Sequence, residues 1–100
     1  MYGLFGKLRA APGRRDELAG YLLRGAEALR AAAGCRLYVV SLAEDDPDGV
    51  WVMEAWASRE AHQASLSLAA VQEVIAAARP IIAGFGERFE FTPLGGKGLE

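Results

Sequence analysis

Four stretches of the chain carry apolar residues in the short runs or period-two alternation that is typical of β-strands. They cover residues 2–9, 35–43, 50–57 and 84–92. The second and third are separated by EDDPDG, whose acids, proline and glycine are typical of a turn. This pattern predicts four strands, of which the middle two form an antiparallel hairpin.

The segments between these strands carry apolar residues at helical spacing. The first helix is predicted to have Pro12 in its first turn and to end at Gly34. Its apolar stripe consists of Leu18, Leu22, Ala26, Leu29 and Ala33, with Tyr21 alongside. The second helical region, residues 59–79, is predicted to be broken, with Ser58 as its N-cap and Ser67 as a second start.

The order β-α-β-β-α-β predicts a ferredoxin-like α+β sandwich, in which two helices cover one face of a four-stranded antiparallel sheet. We expect one domain, residues 1–94, followed by a flexible tail, residues 95–100. The last two residues, Leu99 and Glu100, match a cloning remnant.

Both faces of the predicted sheet are apolar. In the third strand, Trp51 and Met53 point to one side, while Val52 and Trp56 point to the other. The helices can cover only one face, and an exposed apolar face of this size is typical of an interface. We therefore predict a homodimer packed sheet to sheet; the alternative is a monomer with an apolar surface.

Composition and charge exclude several classes of protein. The 100 residues carry a net charge of −2, and no basic run exceeds Arg14-Arg15, which argues against a nucleic-acid partner. No apolar run reaches the length of a membrane span, and the start MYGLFGKLRA lacks the core of a signal peptide. We expect a cytoplasmic protein with no membrane partner. The lone Cys35 cannot form an internal disulfide and is interpreted as structural.

Two titratable residues are candidates for catalytic proton transfer. Glu54 interrupts an apolar strand, where burial would raise its pKa; the alternative is an ion pair with Arg36 or Arg79. His62, the only histidine, is a candidate general base, or else a half-exposed helix residue. No second histidine is available to complete a usual metal site, so no metal is expected.

Three aromatic residues are candidates for substrate binding. Trp56 shares the strand face of Glu54, and Tyr38 and Tyr21 could extend the same wall and add hydroxyl groups. Each of them, taken alone, is explained by packing. Together, beside a carboxylate and an imidazole, they suggest a site for a small aromatic substrate.

Several motifs resemble the antibiotic-biosynthesis-monooxygenase domain family, which includes the small quinol monooxygenases. They are APGRRDEL after the first strand, GC and a tyrosine in the second, the acidic DDPD hairpin, and the passage EAWASREA into a helix. The resemblance covers residues 2–94. It implies a dimeric α+β barrel whose pocket lies between sheet and helices, with Trp56 and Glu54 as pocket residues.

The same resemblance implies a monooxygenase that oxidises quinols or hydroxylated polycyclic aromatics with O2 and no cofactor. Two positions depart from the family pattern. Many relatives have a histidine nine residues after the tryptophan, where this chain has Ser65, while His62 fills a position that is often leucine. Gly6 stands where the haem-degrading branch needs an asparagine, which disfavours haem degradation. The alternative function is a non-catalytic binding or accessory dimer of the same fold.

Overall fold

The computed structural model describes residues 1–99, and its regular elements form an antiparallel sheet covered on one face by helices. In chain order they are β1 (Tyr2–Ala10), α1 (Arg15–Leu29), β2 (Cys35–Leu42), β3 (Gly49–Trp56), α2 (Arg59–Ser65), α3 (Ala69–Ala78), a single 3₁₀ turn (Arg79–Ile81) and β4 (Ile82–Phe91). The strand order is β2-β3-β1-β4. The predicted α+β ferredoxin-like fold is confirmed. Of the suggested cloning remnant, Glu100 lies outside the described residues.

The first helix is shorter at both ends than its apolar stripe predicted. It begins at Arg15 rather than at Pro12, because Gly13 adopts a left-handed φ of 79° that interrupts helical geometry. It ends at Leu29, so the prediction that Gly34 terminates it is wrong. Gly34 serves a different purpose: a Cβ there would overlap the Cβ of Ala61, so glycine allows α2 to approach closely.

The second helical region is broken, as predicted, into α2 and α3. The Ser58 hydroxyl accepts a hydrogen bond from the backbone N–H of Ala61 at 3.0 Å, which confirms this serine as the N-cap. The second start is at Ala69, preceded by Leu68, and not at Ser67, which lies in the connecting turn. No helix in residues 1–99 is both long and apolar enough to cross a bilayer.

The core lies between the sheet and the helices in two adjacent clusters. One consists of Tyr2, Leu4, Leu29, Trp56 and Val71. The other consists of Ala10, Leu18, Val50, Ala78 and Ile81. Trp56, Leu18 and Val50 are the largest side chains removed completely from solvent. Because Trp56 ends β3 inside the first cluster, the neighbouring side chains on its face are held against a rigid wall.

The opposite face of the sheet carries an apolar row that no element in residues 1–99 covers. Strand pairing aligns Val39 of β2, Met53 of β3, Phe5 of β1 and Phe89 of β4 across all four strands. Val39, Met53 and Phe89 are 42%, 40% and 52% exposed. We call these four residues the outer row. The sheet is therefore apolar on both faces, as the sequence pattern predicted.

The hairpin between β2 and β3 is fixed by one carboxylate. Asp46 accepts a hydrogen bond from the backbone N–H of Asp48 at 3.0 Å, and contacts Lys7 Nζ at 3.1 Å and Arg9 Nε at 3.0 Å. The pKa of this carboxyl is lowered from 3.8 to about 2, mainly by the hydrogen bond from the backbone and to a smaller extent by the two cations. The contacts tie the hairpin to β1, and thereby hold β3 in register.

We predict that Asp46→Asn lowers the melting temperature at neutral pH, because Lys7 and Arg9 lose their anionic partner. A carboxyl whose pKa is depressed by folding contributes stability above its unfolded pKa and loses it as pH falls through its folded pKa. The difference between wild type and variant should therefore narrow between pH 3.8 and about 2. Thermal melts of both proteins over this pH range test the prediction. A difference in melting temperature that does not depend on pH would contradict it. The exposed Asp45→Asn is the matched control.

Candidate active site

Glu54 and Trp56 form the centre of the site, because they are two residues apart on β3 and face the helices together. Trp56 Nε1 donates a hydrogen bond to Glu54 Oε1 at 3.0 Å. The Glu54 side chain is 13% exposed. The suggested ion pair of Glu54 with Arg36 or Arg79 does not occur among the described residues. The carboxylate is thus oriented by an indole N–H and keeps its second oxygen, Oε2, for another partner.

His62 points inward from α2 toward this carboxylate. Its Nε2 lies 3.8 Å from Glu54 Oε1, and its ring meets the edge of Trp56 at a centroid distance of 5.5 Å. The side chain is 11% exposed, so the interpretation of a half-exposed helix residue is wrong. Its Nδ1 is buried and has no hydrogen-bond partner in residues 1–99. The remaining nitrogen, Nε2, is therefore the atom through which this imidazole can act on Glu54.

Tyr38 reaches the same place from β2. The strand register pairs Tyr38 directly with Glu54, which places both side chains on the helix-facing side of the sheet. Burial, and next the nearby negative charge of Glu54, raise the pKa of the Tyr38 hydroxyl above its usual value of 10.0. This hydroxyl therefore remains protonated near neutral pH and can donate a hydrogen bond.

These groups open into a cavity of about 510 Å³ between the sheet and the helices. Glu54, Trp56, Tyr38 and His62 all line it. Most of the remaining wall is apolar and includes Leu22, Leu29, Val71, Val74, Ile75 and Phe85. Cavities of this size and character hold small organic ligands with a few polar groups fixing their orientation.

Four of the five candidate residues meet at this cavity, and the fifth does not. Tyr21 is absent from the lining; it lies half-buried on α1 beside the second core cluster, and the Arg24 guanidinium sits 5.5 Å from its ring centroid. Sequence reasoning missed Tyr2, whose ring centroid is 5.7 Å from that of His62. The alternation of apolar residues in the first strand could have identified Tyr2, because it places this residue on the helix-facing side of the sheet. There the strand register pairs Tyr2 with Trp56.

Ser65, which follows His62 by three residues on α2, also lines the cavity. Its hydroxyl donates a hydrogen bond of 2.6 Å to the backbone carbonyl of His62 and is buried. His62 and Ser65 thus both face the site from α2, one helical turn apart, but only His62 places an imidazole there.

Burial dominates the electrostatics of Glu54. It raises the pKa of the carboxyl above its usual value of 4.5, although the hydrogen bond from Trp56 and the charges of His62 and Arg88 act in the opposite direction. A carboxylate with a raised pKa is a stronger base once ionised, which suits it to take a proton from a bound hydroxyl group.

We predict that Trp56→Phe raises the pKa of Glu54 further, because phenylalanine keeps the apolar wall and removes the N–H that stabilises the carboxylate. Carbon-detected NMR of isotopically labelled glutamate would follow the titration directly. Trp51→Phe is the matched control, since Trp51 stacks on Phe5 at 4.5 Å on the other face of the sheet. An unchanged or lowered Glu54 pKa in Trp56→Phe would show that the hydrogen bond does not hold the carboxylate.

No group of three or more metal-ligating side chains comes together in residues 1–99. What the arrangement offers is a binding wall, one oriented carboxylate, one phenol and one imidazole. The fold and the site together define a small ferredoxin-like α+β protein with a largely apolar cavity that carries a carboxylate, a phenol and an imidazole.

Comparisons with known proteins agree with this class. The sequence profile of the antibiotic biosynthesis monooxygenase family matches residues 1–77. A crystal structure from Chloroflexus aurantiacus J-10-fl, provisionally described as an antibiotic biosynthesis monooxygenase, is 48% identical, with a TM-score of 0.91 and coverage of 99% of this chain and 98% of that one. A structure from Deinococcus radiodurans with the same provisional description is 26% identical, with a TM-score of 0.79 and coverage of 93% and 92%.

A third structure, from Nitrosomonas europaea, is 15% identical with a TM-score of 0.83, covers 94% of this chain and 99% of that one, and shows the shared fold alone. Comparison with curated proteins gave no significant match. The chain belongs to the antibiotic biosynthesis monooxygenase family. This membership supports a function of the monooxygenase type in general terms.

Proposed function

We propose that this protein is a monooxygenase that oxidises quinols or related hydroxylated polycyclic aromatics with O2 and without a metal or organic cofactor. The observation that carries the proposal is the apolar cavity of about 510 Å³, into which a carboxylate of raised pKa projects beside a phenol and an imidazole. Family membership supports the general reaction type, and the site chemistry supports the substrate class.

The first step is proton abstraction. A quinol hydroxyl placed at Glu54 Oε2 loses its proton to the carboxylate, while Trp56 holds Oε1 in place. The phenolate that forms is stabilised by the Tyr38 hydroxyl, which remains a donor because its pKa is raised. His62 is the second candidate for proton transfer, because its Nε2 lies 3.8 Å from Glu54 Oε1 and faces the same cavity.

The second step needs no protein-bound electron carrier, because the phenolate is itself electron-rich. It transfers one electron to O2, and the resulting ring radical and superoxide combine at a ring carbon to form a C–O bond. Protonated Glu54 returns its proton to the outer peroxide oxygen. The ring carbon then loses its hydrogen as a proton, and the electron pair of that C–H bond forms a carbonyl as the O–O bond breaks. The outer oxygen takes up this second proton and leaves as water. Two hydrogens leave the substrate and one O2 is consumed, so atoms and electrons balance.

The proposal includes a homodimer joined through the outer row of Val39, Met53, Phe5 and Phe89. These side chains form a continuous apolar stripe across the sheet, and large exposed apolar areas of this kind are disfavoured on monomers. A twofold axis through the stripe would bring each row against its copy. The cytoplasmic location stays a prediction.

Oxygen uptake tests the proposed function directly. Metal-free protein would be assayed in an oxygen electrode against quinols and hydroxylated polycyclic aromatics, with uncatalysed autoxidation subtracted. We expect uptake above background with at least one compound, and a lower rate in His62→Ala. Tight binding of the same compounds without oxygen uptake would instead favour the non-catalytic binding dimer.

A further inference from the structure

A second cavity of about 330 Å³ adjoins the first on the same face of the sheet. The two share five lining residues, namely Leu8, Leu22, Tyr38, Glu54 and Phe85. We call the second cavity the far lobe. Besides the shared residues, its lining includes Gly6 and Val52, two cationic residues, Lys7 and Arg88, and one acidic residue, Glu87. Glu54 and Tyr38 thus lie between two chambers, and a ligand held at Glu54 can extend into either.

Gly6 lies in the floor of the far lobe, next to Arg88. A Cβ built at Gly6 would lie 3.9 Å from Arg88 Cγ and 3.9 Å from the Glu87 carbonyl oxygen, so these two residues border the space above the glycine. The register pairs Gly6 with both Val52 and Arg88, and pairs Leu4 with Glu54. From a strand spacing of about 4.8 Å and a rise of about 3.3 Å per residue, the Cα atoms of Arg88 and Glu54 are roughly 12 Å apart. A ligand with one or two fused rings can therefore reach from the side chain of Glu54 to that of Arg88.

The guanidinium of Arg88 is not fully engaged by the protein. Its only ion pair within residues 1–99 is a loose one, from Nη1 to Glu90 Oε1 at 3.7 Å. Glu90 is already held more closely through Oε2, by Arg59 at 2.8 Å and by the Tyr2 hydroxyl at 2.7 Å. The other cation of the far lobe, Lys7, is bound to Asp46 at 3.1 Å. Arg88 therefore has donors to offer a ligand.

On the basis of the proposed function, we infer that Arg88 binds an anionic substituent, such as a carboxylate, on the substrate whose hydroxyl group lies at Glu54. A planar guanidinium pairs with a carboxylate through two parallel hydrogen bonds, which fixes orientation as well as charge. The ring system would lie across Leu8, Leu22 and Phe85, which line both chambers.

A second arginine, Arg79, lines the first cavity and is the competing candidate. Arg88 lines the far lobe and Arg79 does not. The positive charge of Arg88 also lowers the pKa of the Glu54 carboxyl, against the larger opposing effect of burial. Arg88 is thus the arginine electrostatically linked to the site of proton transfer, and the two can be separated by mutation.

Two naphthol probes, titrated under anaerobic conditions so that no turnover occurs, test this inference: β-naphthol, and its derivative with a carboxylate at the far end of the second ring. Isothermal titration calorimetry would compare their affinities for wild type, Arg88→Gln, Arg79→Gln and the exposed control Arg30→Gln, which loses the same charge. We expect wild type to bind the carboxylate probe about tenfold more tightly, as a charged hydrogen-bonded pair allows. Arg88→Gln should lose this preference and keep its affinity for β-naphthol.

Equal affinity of wild type for the two probes, or a preference that survives Arg88→Gln, would overturn the inference. So would loss of the preference in Arg79→Gln alone, or failure of both probes to bind. Failure of the proposed function would give a different result. If the preference for the carboxylate probe depends on Arg88 but the protein shows no oxygen uptake with any quinol, anion binding by Arg88 is retained and the monooxygenase function is rejected.

Discussion

Glu54→Gln is expected to lower the rate of oxygen uptake by about 10²–10⁴-fold, the usual loss when a positioned general base is removed. Glutamine keeps the shape of the side chain and can still accept the hydrogen bond that Trp56 donates to Oε1. It cannot take a proton from the bound hydroxyl. Steady-state oxygen-electrode measurements would show the loss in kcat, with a smaller change in KM.

The thermal stability of Glu54→Gln distinguishes loss of the general base from misfolding of the variant. Because burial raises the pKa of Glu54, its ionised form costs folding free energy, and this cost grows as pH rises from 4.5 through the raised pKa. Glu54→Gln should therefore melt at the same temperature as wild type or higher at neutral pH. Glu60→Gln, an exposed carboxylate on α2, is the matched control and should retain full activity. Retained activity in Glu54→Gln would show that Glu54 is not the general base.

The second large effect is expected in the outer row. Phe89→Asp should convert the proposed dimer to a monomer at micromolar concentration, because twofold symmetry would bury the new carboxylate twice in an apolar interface. Phe89 is 52% exposed in the single chain, so the substitution should leave the fold of each protomer intact. Sedimentation or light scattering after gel filtration would report the mass, and circular dichroism the fold.

Leu23→Asp is the control for this experiment. Leu23 is 56% exposed on α1, in the helical layer rather than on the outer face of the sheet, and its substitution should leave the dimer unchanged. A wild-type protein that is monomeric at these concentrations would contradict the proposed assembly. A dimer that survives Phe89→Asp and dissociates with Leu23→Asp would place the interface on the helices instead.

Much of the fold was predictable because its strands carry apolar residues in short runs or in alternation, and because the turn between β2 and β3 contains acids, proline and glycine. The order of elements, the hairpin and the Ser58 cap all follow from local signals of this kind. The ends of α1 did not, because Gly34 is needed for tertiary contact with Ala61 rather than for a helix cap. An alternating or helical pattern does not contain such a long-range requirement.

The candidate site was predictable only along single elements. Period-two alternation on β3 placed Glu54 and Trp56 together, since it depends on one strand alone. Tyr21 was expected to extend the aromatic wall and add a hydroxyl group, but which part of the sheet it faces depends on the rotation of α1, and it packs against the second core cluster instead. Arg88 could not be foreseen, because its position opposite Gly6 depends on a register shift between β1 and β4.

The most direct test of the central claim is turnover of the best quinol by metal-free wild-type protein under isotopically labelled O2, followed by mass spectrometry of the product. The account predicts one labelled oxygen in each product molecule, one labelled oxygen in water, and one O2 consumed per substrate. Oxidation without label in the product, with hydrogen peroxide released, would show simple electron transfer to O2 and would contradict monooxygenation.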